Sequence, residues 1–132
     1  MTLSDSDGFA RPAITSGDVA GTTHVVLRGE IDAALRDQAS EAMVFVVTAN
    51  KPVVADVADV TFIDSSGLAF LVQLHRLCAE SGLALELRDP SENILDLLEV
   101  LGMRDEFVIG TTRDAADHVG DRESLSLGAA SA

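Results

Sequence analysis

The sequence predicts an α/β domain in which helices cover a largely parallel sheet. Segments with the composition of strands alternate with segments whose apolar residues recur at helical spacing, in the order strand, strand, helix, strand, helix, strand, helix, strand. The third strand, at 53–57, is a short β-branched run, as in strands buried on both faces. The chain has 132 residues, of which 47% are hydrophobic, which suits one domain with one core.

The first two strands are predicted to pair as a hairpin at one edge of the sheet. Residues 13–16 are a candidate strand, residues 17–21 (G-D-V-A-G) have the composition of a turn, and residues 22–27 are rich in β-branched side chains. We expect Gly29 to close the second strand, since glycine permits a backbone turn. Asp32 then caps the helix that follows.

The first predicted helix covers residues 33–49, and the residues before Pro52 are predicted to end it. Its apolar residues recur at spacings of three and four: Leu35, Ala39, Ala42, Met43, Val46 and Val47. The second helix follows the turn at 64–67 (D-S-S-G) and ends at Gly82. Its predicted apolar face consists of Phe70, Leu71, Leu74, Leu77 and Cys78.

The C-terminal part is predicted to hold a strand at 83–87, a helix, and a last strand at 107–109. Asp89 is the expected N-cap of that helix, with Pro90 at its first position and Gly102 closing it. Its buried residues are expected to be Ile94, Leu97, Leu98 and Leu101. A short helix is predicted at 112–119, a flexible leader at 1–12 and a flexible tail at 120–132.

The D-S-S-G turn at 64–67 supports two interpretations. Asp and Ser accept hydrogen bonds from the unpaired N–H groups of a helix N-terminus, so Asp64, Ser65 and Ser66 are candidate caps. A helix N-terminus also favours an added negative charge, so a serine there is well placed to hold a phosphate. These four residues alone favour the capping role, and the rest of the chain decides between the two.

Composition excludes several classes of function. The net charge of −13, from 22 acidic and 9 basic residues, argues against binding nucleic acid or an anionic membrane, and it favours a protein partner with a basic surface. The sequence has no apolar run of membrane-spanning length and no secretory leader, so the cytoplasm is the expected compartment.

The residue types that catalysis needs are poorly placed for it. The three histidines, His24, His75 and His118, lie in a strand, two turns into the second helix, and near the C-terminus, so none is an evident base for Ser65 or Ser66. No nucleophile elbow, Gly-rich phosphate loop or metal-ligand spacing is present. The lone Cys78 is expected in the core. We therefore expect no enzyme activity, no metal and no cofactor.

Several segments together identify a family. The chain resembles the anti-sigma factor antagonists, the single-domain members of the STAS group, over residues 13–119. The likeness rests on G-E-I-D at 29–32, D-V-A-D-V-T-F-I-D-S-S-G-L at 56–68, Pro90-Ser91, L-E-V-L-G-M at 98–103, and Phe107.

This resemblance implies a STAS fold: a four- to five-stranded mixed sheet with an N-terminal hairpin, packed against three to four helices. It also implies a protein that binds an anti-sigma factor, often a serine kinase, and so releases a sigma factor. Phosphorylation of Ser65 would switch it off, and a serine phosphatase would reverse this. Asp32 and Asp64 match acidic positions of the family, and the predicted partner-binding residues are Asp32, Asp64, Ser65, Ser66 and Gly67.

The alternative within the family is a STAS module of a transporter or of a stress-sensing complex. The chain departs from the family in one place. The family commonly has polar residues and a Thr-Ala pair after G-E-[IL]-D, whereas here residues 33–36 (A-A-L-R) follow directly. The first helix is therefore expected to start early, on a surface that faces partners in the family.

Overall fold

A computed structural model describes residues 11–112, and within them strands and helices alternate in the predicted order. The elements are β1 (Ala13–Val19), β2 (Thr22–Ile31), α1 (Arg36–Ala49), β3 (Val53–Ile63), α2 (Ser65–Ser81), β4 (Leu85–Arg88), α3 (Glu92–Val100) and β5 (Val108–Gly110). Short 3₁₀ turns at Ala33–Leu35 and Arg104–Glu106 precede α1 and β5. The predicted tail and nearly all of the predicted leader and final helix lie outside the described residues.

The strands form one mixed sheet with the order β1-β2-β3-β4-β5. β1 and β2 pair antiparallel as a hairpin, and β2, β3, β4 and β5 pair in parallel. Because the strands have the same order in the sheet as in the chain, every crossover connection moves in the same direction across the sheet. Right-handed crossovers then place the three helices on one face of the sheet. The predicted fold class is thus confirmed for residues 11–112: a five-stranded mixed sheet with an N-terminal hairpin and three helices.

The core lies between this face of the sheet and the helices. β2 shows the alternation expected of such a strand. Val25, Leu27, Gly29 and Ile31 are buried, whereas the residues that alternate with them are not. The other core side chains come mainly from β3 and α2, and α1 and α3 contribute fewer. The edge strand β1 is tied to α1, because the N–H of Ile14 donates to Oε1 of Gln38 at 2.8 Å.

The hairpin strands are longer than predicted. β1 continues to Val19, so the turn is reduced to Ala20 and Gly21. Gly29 does not close β2, and that prediction is wrong: the strand runs on to Ile31. Gly29 instead has φ +79° at a shift in the register of β2 against β3, and a Cβ there would lie 2.9 Å from Pro12 Cα. β2 continues past Gly29 because it stays paired with β3. β3 is also longer than predicted, since it ends at Ile63 and not at Val57.

The predicted helix at 33–49 is present but begins in two steps. The 3₁₀ turn Ala33–Leu35 comes first, and α1 starts at Arg36. Asp32 caps this turn as predicted, with its Oδ1 accepting from the N–H of Ala34 at 2.9 Å. The helix ends where predicted, at Asn50, which takes the left-handed conformation with φ +55°.

The start of α3 differs from the prediction. Ser91, not Asp89, is the N-cap, since Ser91 Oγ accepts from the N–H of Ile94 at 3.2 Å. The carboxylate of Asp89 instead accepts from the N–H and the hydroxyl of Thr112, at 2.9 and 2.5 Å. Asp89 also has φ +57°, which is not the backbone of an N-cap.

The end of α3 and the last two strands also shift. Leu101 was predicted to be buried but is 52% exposed, because it follows the last turn of α3 and points outward there. β4 starts two residues later than predicted and ends at Arg88. β5 covers Val108–Gly110, and Phe107 is buried just before it.

Candidate functional site

The candidate site lies at the carboxyl end of β3, where the chain turns into α2. Asp64 follows directly on the strand, and its extended backbone (φ −103°, ψ −170°) makes it the N-cap. Its Oδ1 accepts from the N–H groups of Ser66 and Gly67, at 2.9 and 3.1 Å. One carboxylate therefore caps the helix, and neither serine is needed for this role.

Ser65 is the first residue of α2, and both Ser65 and Ser66 are exposed. Within residues 11–112 neither hydroxyl takes part in a hydrogen bond. A group attached to Ser65 would therefore disrupt no hydrogen bond of that side chain. It would also lie at the positive end of the helix dipole, which favours an anion.

Gly67 sets how closely α2 approaches the neighbouring strand. A Cβ at Gly67 would lie 2.6 Å from the carbonyl oxygen of Ile31, 2.8 Å from Ile31 Cγ2 and 2.7 Å from Ile63 Cγ1. The same Ile31 carbonyl accepts from the N–H of Asp64 at 3.3 Å. A side chain at this position would push the turn away from β2. Gly67 itself is buried, so it shapes the predicted partner surface from below.

The second acidic loop, at Asp32, comes to the same edge of the sheet because β2 and β3 pair in parallel up to Ile31 and Ile63. Asp32 and Ser66 both line a furrow of about 270 Å³ between α1 and α2, in which Arg36 is the cationic side chain. Of the five predicted site residues, Asp32, Ser66 and Gly67 thus share one furrow. Asp64 and Ser65 belong to the turn beside it.

The titratable groups that catalysis would need are used elsewhere. His75 Nε2 lies 3.1 Å from the carbonyl oxygen of Glu106, and its ring packs on Phe107 at a centroid distance of 4.9 Å. Cys78 is buried in the core, and this burial raises the pKa of its thiol. His118 lies outside the described residues. In the part of the chain that the structure describes, no three His, Cys, Asp or Glu side chains are grouped so that they could hold a metal ion.

Two features of this region escaped sequence reasoning. The role of Gly67 as a contact glycine depends on Ile31, 36 positions earlier, so no local signal reveals it. The second is an apolar surface between α1 and α2, where Val44 and Val47 are 66% and 47% exposed. The signal for this surface in the sequence is Val44, an apolar residue on the outer face of α1, where a polar residue would be expected.

None of the helices in residues 11–112 has the length and apolar character needed to span a bilayer.

Comparisons with known proteins agree on one family. The profile of the STAS domain matches residues 14–116. The anti-sigma factor antagonist SpoIIAA in its unphosphorylated form is 20% identical over 86% of this chain and 100% of its own, with a TM-score of 0.62. Phosphorylated SpoIIAA of Bacillus is 20% identical over 81% of this chain and 99% of its own, with a TM-score of 0.63.

Two further solved structures have the same fold. An anti-sigma factor antagonist from Mycobacterium paratuberculosis is 23% identical, covers 84% of this chain and 96% of its own, and has a TM-score of 0.65. A chain of the stressosome, described as a signal integration and transduction hub, is 17% identical over 84% of this chain and 100% of its own, with a TM-score of 0.57. No curated protein matches the sequence.

Proposed function

Since the chain belongs to the STAS domain family, we propose that it is an anti-sigma factor antagonist whose binding is switched by phosphorylation of Ser65. The observation that carries the proposal is the exposed position of the Ser65 side chain at the start of α2. Its hydroxyl is exposed at the first position of α2, beside a cap that Asp64 alone provides. Two acidic loops, at Asp32 and Asp64, meet at this edge of the sheet.

A phosphate on Ser65 would change the surface and leave the fold intact. It adds about −1.5 to −2 charges at neutral pH. The helix N-terminus supports this charge, and the Asp64 cap of the Ser66 and Gly67 N–H groups stays in place. At an interface the same group adds bulk, desolvation cost and repulsion from acidic side chains. A loss of about 3 kcal/mol would lower the affinity about a hundredfold, which is enough for a switch.

The proposed partner is an anti-sigma factor that is itself a serine kinase, and a serine phosphatase restores the binding form. SpoIIAA, which shares the fold, occurs in an unphosphorylated and a phosphorylated form. The chain acts in this proposal as a binding protein without catalytic activity, a cofactor or a nucleic-acid partner. The net charge of −13 supports a partner with a basic surface. The cytoplasmic location remains a prediction.

The test is phosphopeptide mapping of the protein recovered from its own cells before and after stress, for the wild type, Ser65→Ala and Ser66→Ala. We expect phosphate on the wild type and on Ser66→Ala, declining after stress, and none on Ser65→Ala. Ser66→Ala is the matched control, because Ser66 is an equally exposed neighbour. Phosphate that persists on Ser65→Ala would refute the assignment.

Binding is the second part of the test. Protein carrying phosphoserine at position 65 should bind the co-purified anti-sigma factor about a hundredfold more weakly than the unmodified protein. Ser65→Ala should bind as tightly as the wild type. Equal affinity of the phosphorylated and unmodified forms would contradict the switch, whatever the phosphopeptide map shows.

A role as a STAS module of a stress-sensing complex is the second candidate, and the likeness to a stressosome chain favours it. A transporter subunit is the corresponding alternative in a membrane assembly. The size of the complex that contains the protein in its own cells discriminates among the three. A small complex with one anti-sigma factor supports the first proposal, and a very large assembly or a membrane-bound transporter supports one of the others.

A further inference from the structure

We propose that the protein forms a weak, two-fold symmetric dimer through the outer face of α1 and α2. This surface, called here the valine furrow, consists of Met43, Val44, Val47 and Leu77, with Arg76 and Glu80 at its rim. It is an open groove of about 480 Å³ between the two helices. The inference does not depend on the proposed phosphorylation of Ser65.

The apolar centre of the furrow is unusual for the outer face of a helix. Val44 is 66% exposed and Val47 is 47% exposed, whereas Val46, between them in sequence, is fully buried. Residues three apart share one side of a helix, so Val44 and Val47 form a stripe directed away from the core. Met43 and Leu77 extend the stripe toward α2. An outer helix face would ordinarily be polar, and contiguous exposed apolar surface marks an interaction site.

The charged rim carries one residue of each sign. Arg76 and Glu80 lie four residues apart on the exposed side of α2. Within residues 11–112 neither forms an ion pair, with the other or with a third side chain. The order is also the less favourable one for a pair within a helix, where the acid stands better on the N-terminal side. Both charges are thus available to a partner.

A second copy fits this arrangement. α1 and α2 both connect parallel strands, so they run in the same direction across the face of the sheet. A two-fold axis that lies in the interface and crosses α2 midway between Arg76 and Glu80 lays each helix antiparallel on its copy. Arg76 then faces Glu80 of the second copy and Glu80 faces its Arg76, as an isologous interface requires. With the axis crossing α1 between Val44 and Val47, Val44 packs against Val47 of the second copy beside these two ion pairs.

Charge argues for a second copy over a basic partner at this surface. The rim of the furrow has no net charge, since Arg76 and Glu80 cancel. A basic protein would be drawn to the carboxylates at Asp32 and Asp64, at the other end of the helices. The area argues for a weak dimer, because a stable interface takes roughly 20–30 residues a side, far more than line this furrow. We expect the dimer to have a dissociation constant on the order of 100 µM.

Sedimentation velocity on the full chain tests the proposal at about 0.15 M salt, where charge repulsion is screened beyond about 8 Å. The average mass of the wild type should rise toward that of a dimer between about 5 µM and about 500 µM. Val44→Lys should stay monomeric, whereas Val108→Lys should behave as the wild type. Val108 is the matched control, since it is 65% exposed but lies on β5.

A charge exchange then tests the two-fold contact itself. Arg76→Glu alone and Glu80→Arg alone should each weaken the dimer at least about tenfold, because each puts like charges opposite one another twice. A mixture of these two variants should form a heterodimer, since every facing pair is then of opposite sign. Circular dichroism establishes that each variant is folded. A wild type that is monomeric throughout, equal effects of Val44→Lys and Val108→Lys, or a mixture that does not associate would overturn the proposal.

Discussion

Replacing Gly67 by alanine tests the contact on which the geometry of the candidate site depends. The new methyl carbon would lie 2.6 Å from the Ile31 carbonyl oxygen and 2.7 Å from Ile63 Cγ1. The closest atom belongs to the backbone of a buried strand, so it cannot move aside as the end of a flexible side chain could. We expect the first turn of α2 to shift outward and to lengthen the 3.3 Å hydrogen bond from Asp64 N–H to Ile31 O.

The cost follows from three terms. Overpacking a core by one methyl group costs about 1–3 kcal/mol. Weakening one backbone hydrogen bond costs about 0.5–1.5 kcal/mol. Alanine is about 1 kcal/mol better than glycine inside a helix, which offsets part of this cost. The free energy of unfolding should therefore fall by about 2 kcal/mol.

Urea denaturation followed by circular dichroism measures this change. With a slope of about 1–3 kcal/mol per molar urea, the midpoint should fall by about 1 M. Two glycines serve as controls. Gly17→Ala has open space and should be close to neutral, and Gly102→Ala has open space but φ +71°, so it should cost about 1 kcal/mol for the left-handed backbone. A Gly67→Ala variant as stable as Gly17→Ala would refute the reasoning from the close contact.

Three other predictions concern single groups elsewhere. Ser91→Ala removes the N-cap of α3 and should lower the free energy of unfolding by about 1 kcal/mol in the same urea assay. The hydrogen bond from Lys51 lowers the pKa of Asp18, so Lys51→Met should raise that pKa in an NMR titration; an unchanged pKa would argue against the pair. The stability from this pair is present at neutral pH and is lost as the pH falls through the lowered pKa. Because burial raises the pKa of the Cys78 thiol, that thiol should react with a thiol reagent only after unfolding, and rapid reaction of the native protein would contradict its burial.

The sequence predicted those features of the fold that depend on neighbouring residues. The order of strands and helices, the hairpin, the cap at Asp32, the capping turn at 64–67 and the helix end at Gly82 all follow from spacing and turn chemistry within a few positions. Contacts between distant segments decided the cases that failed. Pairing with β3 carries β2 through Gly29, and Thr112 holds the Asp89 carboxylate that would otherwise be a plausible cap.

The same distinction applies to the surfaces. Sequence reasoning placed an exposed serine at the start of α2, because the capping residues and the helical spacing are both local. It could not separate the core of α1 from its outer face, since Met43, Val46 and Val47 all satisfy the helical spacing. The structure separates them: Val46 is fully buried and Val47 is 47% exposed. The packing of α1 on the sheet and on α2 determines which side of α1 faces the core.

In the proposed switch, the structural and the regulatory roles of the D-S-S-G turn belong to different residues. Asp64 supplies the cap for two N–H groups through a single oxygen, and Gly67 supplies the close contact with Ile31. These two residues hold the turn in place from the backbone side, so the side chain of Ser65 is not required for folding. A modification there can change the charge at the surface while the cap and the contact persist. If Ser65 were itself the cap, phosphorylation would act on helix stability as well as on binding, and the two effects could not be varied independently.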